Sequence, residues 1–414
     1  HASVQSDKTM LMTIFDWGNI KAYFMNFDEK IERRGTHSDK WDMMESKYGV
    51  SPKDGIPMWV ADMDFRPPEC VQKAVENLSS HGVYGYYGDD TSYREAIQWW
   101  MKNRHGWKLN TEWIFSTHGL VNGAAVCIET FSDPGDHIVL FTPVYHSFFR
   151  TIKAANREIL ECPLVNNQGR YEFDFVSYDK LMTGKEKVVI LCSPHNPGGR
   201  VWSMEELKQV ADFAKRHSLI LISDEIHHDI VYPGTKHIPM ATIDENIFDR
   251  LIIMTATTKT FNIAGAHTGN VIIPDENLRQ KFTKKMSALG LSPNSFGLFM
   301  AKAAYSSEGA VWVDELIKYL DRNRQIFDRA ISKIPGLDTM KLEGTYLAWV
   351  DFSRTGMEQK EFVSRVQNQA KIAANLGPTF GKNGHSFLRF NFATTTENVK
   401  IAAERLEKAF SDLQ

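Results

Sequence analysis

Cysteine is scarce in this 414-residue chain: Cys70, Cys127, Cys162 and Cys192 stand far apart, with no C-x-x-C pair. That fits reduced thiols in a cytosol, as small buried apolar residues, better than a disulfide framework. Excess charge of either sign is also missing. A formal net charge of −3 gives no reason to expect nucleic acid or an anionic membrane as partner. No apolar run approaches the roughly 20 residues that span a bilayer, and neither internal repeats nor low-complexity segments occur. What remains is ordinary globular composition, 43% hydrophobic and 24% charged. The length exceeds one ordinary core, so two domains are expected.

Residues 1–24 lack the apolar core of a signal peptide, and Met25-Asn26-Phe27-Asp28 reads as a natural start, so 1–24 is expected to be a leader or an added, variable arm. From about 90 to 275 helical and strand patterns alternate, the signature of a mostly parallel sheet with crossover helices. Apolar runs at 138–141, 187–192, 219–222, 251–254 and 270–273 supply strands, while Ser92-Tyr93-Arg94-Glu95 and Ser203-Met204-Glu205-Glu206 read as capping boxes. Beyond 295 the texture changes. A long helix is expected over 311–334, an alternating strand at 387–392, and a last helix capped by Thr394-Thr395-Thr396-Glu397. The fold class read from this is α/β: a large domain over 76–295, a smaller α+β domain over 296–414, and a segment over 25–75 that contributes to the smaller one.

Chemistry concentrates where strands end. Lys259 follows the hydroxyl-rich turn Thr255-Ala256-Thr257-Thr258, directly after the run Leu251-Ile252-Ile253-Met254. A free amine there can condense with an aldehyde, and neighbouring hydroxyls can hold a phosphate; pyridoxal phosphate carries both groups. Asp224 closes the run 219–223, at the strand end where open α/β sheets bind ligands. The bland readings are a solvated lysine and a helix-capping aspartate. Read together with Ser193-Pro194-His195-Asn196-Pro197-Gly198-Gly199 and Asp224-Glu225-Ile226-His227, the pattern resembles the fold-type I pyridoxal-phosphate enzymes of the class I/II aminotransferase superfamily. Within them it is most similar to the cystathionine β-lyase/cysteine desulfhydrase branch, the cystalysin-like C–S lyases.

The resemblance runs from about Met25 to the C-terminus and implies roles for particular residues. Lys259 holds the cofactor aldehyde and then serves as base; Asp224 keeps the pyridine nitrogen protonated; Tyr145 stacks on the ring; Asn196 and His227 contact its phenolic oxygen. Gly119, Leu120 and Val121, opening a helix, offer backbone N–H groups to the phosphate, joined by hydroxyls of Thr255 and Thr258. Tyr86 reaches the neighbouring subunit's phosphate, which implies a homodimer with a shared active site. Arg389 pairs with the substrate α-carboxylate. Ala61, within Val60-Ala61-Asp62-Met63-Asp64-Phe65, lines the same pocket, and Gly344-Thr345-Tyr346-Leu347-Ala348-Trp349 also matches the branch.

Two positions depart from the pattern. His146 follows Tyr145 where relatives carry tyrosine or proline; its imidazole either faces the substrate Cβ, donating a proton to a departing thiolate, or merely packs. His267 stands where many aminotransferases place an arginine on the phosphate. His228 is expected to pack or meet solvent. A zinc site from His227, His228 and His237 matches no standard spacing, so no metal is expected.

The implied reaction is α,β-elimination of sulfur from L-cystathionine or L-cysteine, giving pyruvate and ammonia with homocysteine or sulfide. An aminotransferase is the nearest rival, because the same carbanion can instead be protonated on the cofactor carbon. A regulatory binding protein on the same fold is a more distant one, and Lys259 and Asp224 together argue against it.

Overall fold

A computed structural model describes residues 25–413; the arm expected over 1–24 lies outside them. Seven strands form the large sheet, in the spatial order Ile114–Thr117, Gly269–Ile272, Leu251–Thr255, Ile220–Asp224, Glu186–Cys192, His137–Thr142, Glu158–Pro163. Only Gly269–Ile272 runs antiparallel to its neighbours. The central strands are continuous apolar runs because helices cover both faces, leaving no solvated side to alternate with. Leu251–Thr255 is buried at every position.

The helices follow their expected signals with one exception. Ser203 and Glu206 close a true capping box on Met204–Arg216, and Thr395 caps Thr396–Ala409. The Ser92 box is not formed. That helix starts earlier, as Thr91–His105, because the Asp89 carboxylate takes the Thr91 N–H at 2.9 Å while Asp90 pairs with Arg94.

A second sheet of five strands runs Ile56–Met58, Ile372–Leu376, Phe387–Asn391, Leu347–Asp351, Asp338–Thr339. Ile56–Met58 lies parallel to Ile372–Leu376, so an N-terminal segment completes a C-terminal sheet. From there the chain continues as a strap, residues 59–65, whose carbonyls are gripped by side chains from distant elements. Arg389 donates to Trp59 O, Asn391 to Val60 O and Asp62 O, and Asn262 to Met63 O and Phe65 O. Below the strap, Arg33 and the fully buried Lys40 neutralise Asp62 and Asp64. Residues just beyond the Leu251–Thr255 strand, Lys259 and Asn262, bond to the strap. Among the described residues no helix is long and apolar enough to cross a membrane.

Candidate active site

Under the strap, Lys259 Nζ donates to Ala61 O at 2.6 Å, and the buried Tyr346 hydroxyl donates to the same oxygen at 2.9 Å. Burial pushes the Lys259 amine down to about 8, with Arg389 adding to the fall and Asp62 and Asp224 opposing it. A lysine so placed sheds its proton as pH passes about 8, well below an ordinary lysine, which favours its use as a nucleophile or base.

Asp224 ends its strand buried. One carboxylate oxygen accepts from Ile226 N–H at 3.1 Å. Burial raises the carboxyl to about 7, helped by Glu225 and opposed by Ile226 N–H and Lys259. Such a group gains from any cationic N–H brought beside it. His227 is buried three residues on, its Nδ1 without a partner among the described residues. Burial first, then the charges of Lys259 and Arg389, hold it neutral.

Arg389 sits in the small sheet, fully buried, beneath the strap. Its guanidinium donates to Asn196 Oδ1 at 3.0 Å, to Trp59 O at 2.8 Å and to Asn375 Oδ1, and lies 5.0 Å from the Phe380 ring centroid. Nε has no partner, and no carboxylate among the described residues pairs with it. Burial lowers it to about 10. An interior cation held only by neutral acceptors is a site built for an anion.

Gly119 takes φ 88, a conformation that favours glycine, and opens the helix Leu120–Phe131; the Leu120 and Val121 N–H groups donate to no described residue. Thr258 is buried in the Lys259 turn. Thr255 is engaged elsewhere, its hydroxyl accepting from Asn270 Nδ2 at 3.1 Å across the sheet. The unpartnered buried hydroxyl of that turn belongs to Thr257, which nothing in the sequence distinguishes from its neighbours. The orphaned Thr257 hydroxyl and His227 Nδ1, the free helix N–H groups and the raised Asp224 carboxyl form a donor set that suits pyridoxal phosphate.

Tyr145 precedes the helix His146–Ala154, half-buried, with its ring 4.9 Å from His146. His146 packs edge-on against Phe380, with Nδ1 buried and unpartnered. Burial and the charges of Arg389, Arg150 and Lys259 bring it to about 4. A desolvated imidazole among cations is therefore neutral at physiological pH. His267 is exposed at φ 42. Tyr86 is fully exposed and does not join the site within one chain. His228 and His237 are buried with His105, whose distance in sequence hid it.

Residues 53–406 match the aminotransferase class I and II family. The chain belongs to that family. It is 38% identical over 390 residues to cystathionine β-lyase PatB of Bacillus subtilis, covering 94% of this chain and all of that one. Among solved structures it superposes on cystalysin from Treponema denticola, which contains a pyridoxal 5′-phosphate cofactor, with TM-score 0.89 and 37% identity over 94% of this chain and 99% of that one. The pyridoxal-phosphate-bound C–S lyase from Staphylococcus hominis gives 0.86 and 32%, over 93% and 98%.

Proposed function

We propose that this chain is a pyridoxal-phosphate-dependent C–S β-lyase, converting L-cystathionine and water to homocysteine, pyruvate and ammonia, or L-cysteine and water to sulfide, pyruvate and ammonia. The observation that carries amino-acid chemistry is the convergence under one strap of a near-neutral amine, a raised carboxyl and a buried arginine without a counter-ion. Full-length similarity to a cystathionine β-lyase and to C–S lyases favours elimination over transamination.

Bound pyridoxal phosphate supplies a carbonyl for the amino group and a ring that accepts the electron pair left at Cα. The protein's own groups do the rest. Lys259 Nζ holds the cofactor and, once free, takes the α-proton; Ala61 O, at 2.6 Å, stabilises the ammonium that results. Asp224 holds the proton of the ring nitrogen. Leu120 and Val121 N–H, with Thr257 and Thr258, hold the phosphate, and Asn196 and His227 serve the ring oxygen. Tyr145 supports the ring face. Arg389 takes the substrate carboxylate, and His146, neutral, borders the leaving group.

Tyr86 completes the partner's phosphate site in a homodimer. Exposed Val83 and Tyr84, and exposed Phe296 and Phe299 packed against Tyr84 and Tyr87, supply an apolar face for the second copy. Four unpaired thiols agree with a cytoplasmic location.

Product analysis with L-cystathionine tests the reading. Pyruvate and homocysteine should appear without an added keto acid. Turnover that requires an added amino acceptor would make the protein an aminotransferase instead.

A further inference from the structure

Besides Asp224, a second carboxylate gathers the elements that carry the site. Asp229 lies five residues beyond Asp224 and is buried. One of its oxygens accepts from Trp100 Nε1 at 3.0 Å and from His105 Nε2 at 2.7 Å, both on the helix Thr91–His105. The other accepts from Thr260 Oγ1 at 2.9 Å. Thr260 is the residue after Lys259, and it too is fully buried. Glu225 pins the other end of the same loop: it accepts from Ser223 Oγ, Met240 N–H and His237 Nε2. His228 joins the two ends, donating from Nδ1 to Glu225 O at 2.6 Å while its Nε2 stands 3.3 Å from Asp229.

These groups are buried and bonded to one another, and the roles assigned above use none of them on the substrate. His105, His228 and Asp229 offer ligand atoms within 4.8 Å of one another. A cation is nevertheless disfavoured there, because Trp100 and Thr260 already occupy the Asp229 oxygens and Arg104 stands 3.9 Å away. What the arrangement does is mechanical: it ties the Asp224 loop and the Lys259 turn to one helix.

We propose that Asp229 is a positioning residue which, through the Thr260 hydroxyl, fixes the Lys259 amine relative to Asp224. The inference rests on the site reading given above. Rigid support of this kind matters because an error of about 1 Å in a reacting group costs up to about a hundredfold in rate.

Thr260→Val removes only the hydroxyl and leaves Trp100 and His105 on Asp229, while Thr260→Ser keeps the hydroxyl. Three quantities should be compared with wild type: the thermal midpoint, the rate at which apoprotein captures pyridoxal phosphate covalently (followed by visible absorbance), and kcat against KM for L-cystathionine. Thr260→Val should remain folded, capture cofactor about tenfold more slowly, and lose about tenfold or more in kcat with KM changed far less. Thr260→Ser should restore both rates, and Asp229→Asn should resemble Thr260→Val. If Thr260→Val and Asp229→Asn lower the thermal midpoint yet capture cofactor and turn over like wild type, the cluster is structural only and the proposal is overturned. No covalent capture by the wild type would instead overturn the site reading, and this inference with it.

Discussion

Asp224→Asn should make the cofactor-free protein more stable at pH 8 and leave it unchanged at pH 4. The native carboxyl titrates at about 7 because it is buried, against 3.8 when exposed in the unfolded chain. Between those values the native state retains a proton that the unfolded chain has released. Stability therefore falls as pH rises from about 4 to about 7, and the loss is complete above it. At about 1.4 kcal/mol per pH unit, the native carboxylate costs roughly 4 kcal/mol at pH 8. Asparagine keeps the shape and cannot ionise, so the variant escapes that cost. Urea unfolding of both apoproteins at pH 4 and pH 8 measures it, since other titrating groups cancel in the difference. With cofactor bound the order should reverse, because the ring nitrogen gives the carboxylate a cationic partner that an amide cannot exploit; Asp224→Asn should bind cofactor yet lose most turnover. Equal stabilities of the two apoproteins at pH 8, or a wild type that gains on the variant between pH 4 and 7, would refute the burial argument.

Capture of cofactor by the apoprotein should accelerate with pH and level off above about 8, as the Lys259 ammonium loses its proton; borohydride trapping and peptide mapping should place the adduct on Lys259, and a rate flat from pH 6 to 9 would contradict its lowered pKa. Arg389→Lys keeps the charge but loses the planar fork, so KM for amino acids should rise on the order of tenfold to a hundredfold with the fold retained, as steady-state kinetics and a thermal melt would show. His146→Phe should slow cystathionine cleavage more than elimination from β-chloroalanine, without moving the pH profile above about 6, because His146 titrates at about 4; equal losses on both substrates would leave it as packing.

Much of this architecture was legible because chemistry and punctuation coincide. Asp224 ends its strand and Lys259 and Asn196 stand just beyond theirs, where apolar runs give way to polar turns, and a one-dimensional reading finds such edges. Contacts made sideways were not legible. His105 reaches Asp229 across 124 positions, and nothing local to either residue announces the other. Thr255 and Thr257 look alike as sequence. Their difference arises only when Asn270 on the neighbouring strand claims the first and leaves the second unpartnered. The Ser92 box misled because Asp89, three residues earlier, is the stronger competitor for the first helical N–H. For His146 the sequence shows an ordinary imidazole, and only packing reveals that burial and three cations keep it neutral.

The strap has a consequence for how the protein matures. Its carbonyls are fixed by Arg389 and Asn391, which follow Trp59 and Val60 by 330 and 331 positions. A growing polypeptide can assemble the large sheet early, but the lid over the lysine waits until the Phe387–Asn391 strand has been made. Cofactor that meets an unfinished chain finds Lys259 and Asp224 without the roof that excludes water, and without Arg389. Holoenzyme formation should therefore come late in biogenesis, and C-terminal truncations that remove this strand should accumulate as chains unable to retain the cofactor, even where the large sheet has formed.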